Sequence, residues 1–190
     1  MVVVWKILPV KGKADGMFDS KNGTLCSGKC SLVVLPWFGL SLLIIFLDQI
    51  AKYWVNHRLF YGETVPIIPG FFNFTLLYNP GAAFSLLADA GGWQTPVFTV
   101  LAFFVTGWLS WQILRGHFGR LMNCAAACII GGALGNVIDR IVYGYVIDFI
   151  QFFYRTWYYP AFNLADAFIC IGAVLIVLDS LKGNNRKQND

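Results

Sequence analysis

Four aspartates stand near those ends of long apolar runs that are expected to share one membrane face. They are Asp48, Asp139, Asp148 and Asp166. An ionisable group near hydrocarbon is costly, and a protein that keeps one usually has a use for it. When two carboxyl groups lie close together they cannot both ionise, so one keeps a proton while the other can activate a water molecule. The aspartates therefore indicate acid and base chemistry by a pair of carboxyl groups.

Asparagines accompany these aspartates at helical spacing. Residues three or four apart share one face of a helix, which groups Asn136 with Asp139 and Arg140, and Asn163 with Asp166. Two faces that carry amide and carboxyl groups can then meet between neighbouring helices. The spacing predicts a polar site enclosed between the third and fourth apolar segments.

The residues required for other common chemistries are missing from the pattern. His57 and His117 are the two histidines, they are expected on opposite sides of a membrane, and no serine is placed for either to activate. Of the five cysteines, Cys124 and Cys128 lie one helical turn apart in an apolar run, where a thiol behaves as a small hydrophobe. We therefore expect no metal site and no cofactor.

The composition is that of a membrane protein. The 190 residues are 57% hydrophobic and 13% charged, whereas a soluble domain carries about 25% charged residues. The net charge of +4 does not indicate a nucleic-acid partner, because the basic residues flank apolar runs and form no patch.

Four segments are long enough to cross a bilayer, since a spanning helix needs about 20 mostly apolar residues. They are residues 32–55, 95–114, 122–141 and 164–181. In the third, Gly131, Gly132 and Gly135 would let neighbouring helices approach closely. We expect three parts: a mobile N-terminal cytoplasmic tail (1–30), a four-helix membrane domain (31–181) and a polar C-terminal tail (182–190).

The distribution of basic residues predicts the orientation. Lys and Arg are retained in short cytoplasmic loops, and ten of the 14 lie in the N-terminal tail, the second-to-third loop or the C-terminal tail. Both termini are therefore expected in the cytoplasm, with the two longer connections and the aspartates at the outer face.

The two outer connections differ in pattern. Residues 64–78 are rich in aromatic and β-prone side chains, which favours a small sheet lying on the membrane surface. A fifth span over 71–88 is the alternative, but Asn73, Asn79, Pro80 and Gly81 interrupt it. Residues 142–163 carry many Tyr and Trp residues and predict an aromatic outer loop or helix. The fold class is thus a mainly α membrane protein with a small extracytoplasmic sheet.

Five short runs, in order along the chain, resemble motifs of the signal peptidase II family, also called lipoprotein signal peptidase. The runs are Asp48-Gln49-Ile50-Ala51-Lys52, Asn79-Pro80-Gly81-Ala82-Ala83-Phe84-Ser85, Gly135-Asn136-Val137-Ile138-Asp139-Arg140, Val146-Ile147-Asp148-Phe149 and Phe162-Asn163-Leu164-Ala165-Asp166-Ala167. The resemblance implies an aspartic endopeptidase of the bacterial inner membrane. It would cleave lipid-modified prolipoproteins just before the lipidated cysteine, with membrane lipid around it, and we expect a monomer.

The resemblance also implies roles for individual residues. Asp148 and Asp166 match the two catalytic aspartates, one the general base and the other the acid. Asp139 matches a further carboxylate, expected to pair with Arg140 or another nearby group and to fix the architecture. The positions that match residues lining or holding the site are Asp48, Asn79, Gly81, Asn136, Arg140 and Asn163.

Two of these aspartates also have non-catalytic interpretations. Asp148 could be a solvated loop carboxylate, and Asp48 could form an exposed helix-end pair with Lys52, one turn away. The residues alone also leave open which two of Asp139, Asp148 and Asp166 form the catalytic pair.

A transporter or proton relay is the rival function, since intramembrane Asp and Arg are also typical of relays. A relay predicts ionisable groups along the whole depth of the membrane, whereas the middle and inner parts of these spans are nearly free of charge. A small structural subunit is a third interpretation, but it gives no reason for paired Asn and Asp residues on facing helices.

Overall fold

A computed structural model of the protein describes residues 27–81 and 93–187. The elements in chain order are α1 (Ser27–Arg58), β1 (Thr64–Ile68), β2 (Phe72–Asn79), α2 (Gln94–Leu114), α3 (Arg120–Tyr143), β3 (Val146–Tyr154), β4 (Trp157–Tyr158) and α4 (Leu164–Lys187). The packing described below lies within the unit Pro36–Asp190. The prediction of a mobile N-terminal tail falls mostly on residues 1–26, which lie outside the described residues, and the Asn79 to Ser85 motif is described only as far as Gly81.

The four predicted spans are confirmed. Within the described part of the chain, four helices are long and apolar enough to cross a membrane: Val34–Arg58, Gln94–Leu114, Arg120–Tyr143 and Leu164–Lys182. Helix α4 continues to Lys187, so the first residues of the predicted C-terminal tail are helical. Large apolar side chains, such as those of Phe104 and Val177, point outward from the helices, as contact with lipid requires.

Helix α3 lies at the centre of the helical packing. Its span is 61% buried, against 11 to 17% for the other three. A Cβ added to Gly131 would stand 2.8 Å from the Ile44 Cβ of α1, and one added to Gly132 would meet the backbone oxygen of Ala165 in α4. These glycines therefore let α1 and α4 approach α3 as closely as the small-residue pattern predicted.

The four strands form one antiparallel sheet in the order β1-β2-β3-β4. Strands β1 and β2 confirm the sheet predicted for residues 64–78. The second outer connection, expected as an aromatic loop or helix, instead supplies β3 and β4. Strand β3 pairs with β2, with Leu77 opposite Asp148, and this long-range pairing determines its conformation. Aromatic rings gather here: Tyr78 stacks on both Tyr61 and Tyr145, at 5.0 and 4.3 Å between ring centroids.

A small core joins the sheet to the end of α1. Its buried members are Val55 of α1, Leu76 of β2, and Ile147 and Phe149 of β3. Because successive side chains of a strand point to opposite faces, Asp148 is directed away from this core. The apolar contacts on either side of it thus hold the strand in one register and fix the direction of that aspartate.

Candidate active site

Asp148 is enclosed by two asparagines. Its side chain is 3% exposed; Oδ1 accepts a hydrogen bond from Asn163 Nδ2 at 2.7 Å, and Oδ2 accepts one from Asn79 Nδ2 at 3.0 Å. Burial, and then the nearby charge of Asp166, raise the pKa of Asp148 to about 7. The alternative interpretation of Asp148 as a solvated loop residue is therefore wrong.

Asp166 lies in the first turn of α4, close to Asp148. Its Oδ1 accepts a hydrogen bond from Asn136 Nδ2 at 2.7 Å, and its backbone N–H donates to Asn163 Oδ1 at 2.9 Å. Asn163 therefore contacts both aspartates, one through its amide nitrogen and the other through its amide oxygen. The structure places Asp148 and Asp166, the pair that the family resemblance implied, in one site.

The position of Asn163 follows from the chain on either side of it. The preceding residue, Phe162, pairs with Ile150 of β3: its N–H donates to the Ile150 oxygen at 3.0 Å, and its oxygen accepts from Ile150 N–H at 2.8 Å. The following residue, Leu164, begins α4. Asn163 is therefore the N-cap of that helix, a position at which a side-chain oxygen commonly accepts an N–H of the first turn.

Each of the three asparagines around the pair has one possible amide orientation. The carbonyl oxygen of Asn163 accepts from Asp166 N–H, that of Asn79 from Gly81 N–H at 3.0 Å, and that of Asn136 from the Lys52 ammonium at 2.9 Å. These partners can only donate. The NH₂ groups must therefore point toward the aspartates, where they stabilise negative charge.

A buried group of three charged residues, the Lys52 triad (Asp48, Lys52 and Asp139), lies next to this site. Lys52 Nζ is 2.8 Å from Asp48 Oδ2 and 2.8 Å from Asp139 Oδ2, and the residues are 0 to 1% exposed. The interpretation of Asp48 as one partner of an exposed pair is therefore wrong. Asp139 does bind a nearby cation, and that cation is Lys52.

Arg140 does not pair with Asp139, because adjacent residues of a helix point in different directions. Its guanidinium donates to the backbone oxygens of Asn136 and Gly81, both at 3.4 Å, and lies over the ring of Phe98 at 5.8 Å from the centroid. Gly81 is thus held by Arg140 at its oxygen and by Asn79 at its N–H. Arg140 thereby links α3 to the segment that follows β2.

Sequence reasoning missed two residues of this site, Lys52 and Gln49. The Gln49 amide nitrogen donates to Asp139 Oδ1 at 2.9 Å and to the Gly135 oxygen at 3.1 Å. The signal for Lys52 was its position one turn after Asp48, which was taken as a surface pair because nothing in the sequence indicates how deeply that turn is buried.

An apolar cleft of about 490 Å³ opens beside Asp166. The side chains that line it come from β3, β4, the segment before α4 and α4 itself: Phe152, Trp157, Tyr159, Phe162, Ile169 and Cys170, together with Ala161, Ala167 and Asp166. Among the described residues of this lining, Asp166 is the one charged group. The cleft can therefore accept an apolar chain and place it against a carboxyl group.

The fold and the site together define a multi-pass membrane protein with an enclosed pair of aspartates. A family model described as Signal peptidase (SPase) II matches residues 40–182. The lipoprotein signal peptidase of Chromobacterium violaceum is 64% identical over 151 residues, which cover 79% of this chain and 93% of that protein. The lipoprotein signal peptidase of Neisseria meningitidis serogroup C is 56% identical over 142 residues, 75% of this chain and 87% of that protein. The chain therefore belongs to the signal peptidase II family and is a peptidase.

Solved structures agree with this assignment. A bacterial membrane enzyme solved by the in meso method at 2.3 Å superposes with a TM-score of 0.72 at 28% identity, over 80% of this chain and 91% of that one. A second, solved by the same method at 1.9 Å, gives 0.68 at 29% identity, over 77% and 93%. The helices and the sheet described above are thus a fold that occurs in bacterial membrane enzymes.

Proposed function

We propose that this protein is an aspartic endopeptidase that removes the signal peptide from lipid-modified bacterial prolipoproteins, with Asp148 and Asp166 as the catalytic pair. The observation that carries the proposal is that the Asn163 side chain forms hydrogen bonds with both aspartates. A structural carboxylate would be bound to a cation, as Asp48 and Asp139 are. Asp148 and Asp166 are held by amide donors instead, which leaves a proton free to move between water, substrate and carboxyl group.

The reaction needs one ionised and one protonated carboxyl group. The ionised aspartate takes a proton from a water molecule as the water oxygen attacks the carbonyl carbon of the scissile bond. The protonated aspartate then gives its proton to the leaving nitrogen as the carbon–nitrogen bond breaks. A pKa of about 7 for Asp148 lets the pair hold a single proton near neutral pH.

The cleft supports a signal peptide as substrate. Its walls are mostly apolar and aromatic, and Asp166 is part of its lining, so an apolar segment that enters from the bilayer would bring its peptide bond to the catalytic pair. The similar proteins named lipoprotein signal peptidase favour a prolipoprotein over other membrane peptides. We propose that the protein works as a monomer among membrane lipids, with the site near the outer face and both termini in the cytoplasm.

The remaining residues of the site support the pair. Asn79, Asn136 and Asn163 donate to the catalytic carboxyl groups, while Arg140 and Gly81 hold Asn79 in place. The proposal assigns Asp48 and Asp139 to the supporting structure and not to proton transfer, because both are bound to Lys52.

The test replaces each catalytic aspartate by its amide. Asp148→Asn and Asp166→Asn should each abolish cleavage of a diacylglyceryl-modified prolipoprotein by the purified protein, because an amide neither takes nor gives the required proton. Thermal unfolding in detergent should show that both variants remain folded.

Asp179→Asn is the matched control, since Asp179 lies on the same helix more than three turns beyond Asp166. It should cleave at the parental rate. Cleavage by either catalytic variant at a rate near that of the parent would refute the proposed pair.

A further inference from the structure

The Lys52 triad contacts the backbone at two informative places. Asp48 Oδ1 accepts a hydrogen bond from the N–H of Ala165 at 2.9 Å, and Asp139 Oδ2 accepts one from the N–H of Ile147 at 3.1 Å. Ala165 directly precedes Asp166, and Ile147 directly precedes Asp148. Each carboxylate that binds Lys52 therefore also accepts a hydrogen bond from the backbone N–H of the residue that precedes a proposed catalytic aspartate.

We propose that Lys52 is a positioning residue that sets the distance between Asp148 and Asp166. Its ammonium ties Asp48 to Asp139, and these two carboxylates fix the backbone before Asp166 and before Asp148. This inference rests on the proposed function, because it concerns the same two aspartates. Lys52 lies outside the lining of the apolar cleft, so it acts through other residues and not on the peptide in that cleft.

A third contact of Lys52 reaches the side chain of a catalytic aspartate. Its Nζ donates to Asn136 Oδ1 at 2.9 Å, and Asn136 Nδ2 donates to Asp166 Oδ1 at 2.7 Å. Because an ammonium group can only donate, it holds the Asn136 amide in the orientation that aims NH₂ at Asp166. Lys52 therefore fixes both the backbone and the carboxyl group of that residue.

The hydrogen-bond partners of the triad explain why these residue types are needed. Asp48 accepts from Lys52 Nζ, Ala165 N–H and Gln49 Nε2. Asp139 likewise accepts from Lys52 Nζ, from Gln49 Nε2 and from Ile147 N–H. Each of these partners is a donor, so an asparagine at either position would place its NH₂ group against another donor.

A contribution to stability alone does not explain why the protein keeps the buried Lys52 triad. The desolvation of buried charges largely offsets their attraction, and well-packed neutral residues often stabilise a protein as much or more. Geometry gives a reason to keep the ions, because a misplacement of about 1 Å can slow catalysis about 100-fold. The effect of losing Lys52 should therefore appear in kcat, with KM changed little.

The experiment compares kcat and KM for the purified full chain and its variants with a diacylglyceryl-modified prolipoprotein in detergent. Asp48→Asn and Asp139→Asn each leave Lys52 with one carboxylate, so neither leaves an uncompensated charge in the triad. The triple variant Lys52→Met, Asp48→Asn, Asp139→Asn removes all three charges. Each should lower kcat by about 30-fold or more while KM stays within about threefold.

Ser41→Ala is the matched control for a purely structural effect. Ser41 also joins α1 to α3 through a buried hydrogen bond, from its Oγ to the Ala127 oxygen at 2.9 Å, and it lies away from the aspartates along α1. This variant should lower the unfolding temperature while kcat stays within about twofold of the parent.

Several results would overturn the positioning role. Folded triad variants could keep the parental kcat, or show a raised KM with kcat unchanged. Ser41→Ala could lose kcat in the same proportion to its fall in unfolding temperature as the triad variants do, or all the triad variants could fail to fold, which would assign the triad to stability alone. If Asp148→Asn is inactive while the triad variants are fully active, the proposed function stands and only the role of Lys52 fails. If Asp148→Asn still cleaves, the catalytic pair itself fails.

Discussion

At the scale of single residues, the two kinds of carboxyl group in this protein differ in their partners. Asp48 and Asp139 share the Lys52 ammonium, which holds both carboxyl groups in place. The partners of Asp148 are amides, and burial together with the charge of Asp166 raises its pKa to about 7. The carboxyl groups of Asp48 and Asp139, which bind a cation, therefore differ from that of Asp148, which can gain or lose a proton near neutral pH.

The raised pKa of Asp148 predicts how stability depends on pH. A carboxyl group with a folded-state pKa above its unfolded value contributes stability that is fully present below the unfolded pKa and is lost as pH rises through the folded pKa. For Asp148 that window runs from 3.8 to about 7. Across this pH window, the free energy of unfolding of the parent should thus fall by up to roughly 4 kcal/mol relative to that of a variant with no ionisable group at position 148.

The measurement is the free energy of unfolding of the parent and of Asp148→Asn at about pH 5 and about pH 8. The free energy of unfolding of the variant should increase relative to that of the parent as the pH rises. Ser41→Ala removes a buried hydrogen bond and no titrating group, so its difference from the parent should not change. A constant difference for Asp148→Asn as well would mean that Asp148 ionises as it would in water.

Sequence patterns identified most residues of the site but not all of their partners. Asn163 and Asp166 were predictable because helical spacing places them on one face, and the structure confirms their proximity. The pairing of Asp139 with Lys52 was not predictable, since the two residues lie on different helices and their contact depends on how closely α1 approaches α3. Sequence adjacency suggested Arg140 instead, although adjacent helical residues do not face each other.

At the scale of secondary-structure elements, the close approach of α3 and α4 brings Asn136 to Asp166. Gly132 permits this approach, because a Cβ there would meet the Ala165 oxygen and stand 2.8 Å from Ile169 Cγ1. Backbone cannot move aside as a flexible side chain can. The separation of the two helices therefore depends on the absence of a side chain at this position.

Gly132→Ala should destabilise the protein by about 1–3 kcal/mol, the usual cost of overpacking a tight contact. It should also lower kcat, since α4 carries Asp166. Gly107→Ala is the control: Gly107 lies within α2 with nothing within 4 Å of an added Cβ, so alanine should be neutral or slightly stabilising there. Thermal unfolding in detergent measures both, and equal unfolding temperatures would contradict the close contact.

Helices and strands differ in how far the sequence determines them. The four spans were predictable because the hydrocarbon thickness sets a minimum length of apolar helix. Strand β3 was not, because its partner β2 lies about 70 residues earlier in the chain, and aromatic composition does not reveal such a distant pairing. The conformation around Asp148 therefore had to come from the structure, although the residue itself stood out in the sequence.

At the scale of the whole molecule, the orientation in the membrane determines where the site can meet its substrate. Arg115 lies in the loop between α2 and α3, and Arg120 is the first residue of α3; basic residues at such short connections are retained in the cytoplasm. The sheet and the enclosed aspartates lie beyond the opposite ends of these helices, as the element order requires. We therefore predict that the sheet faces the outside.

Single cysteines placed in a cysteine-free background test this orientation. Glu63→Cys lies at an exposed position just before β1, and His117→Cys lies at an exposed position between α2 and α3. A membrane-impermeant maleimide added to intact spheroplasts should label Glu63→Cys and leave His117→Cys unlabelled. After permeabilisation both should react, which shows that each thiol is accessible. Labelling of His117→Cys before permeabilisation, with Glu63→Cys protected, would invert the orientation and place Asp148 and Asp166, the proposed catalytic pair, at the cytoplasmic face.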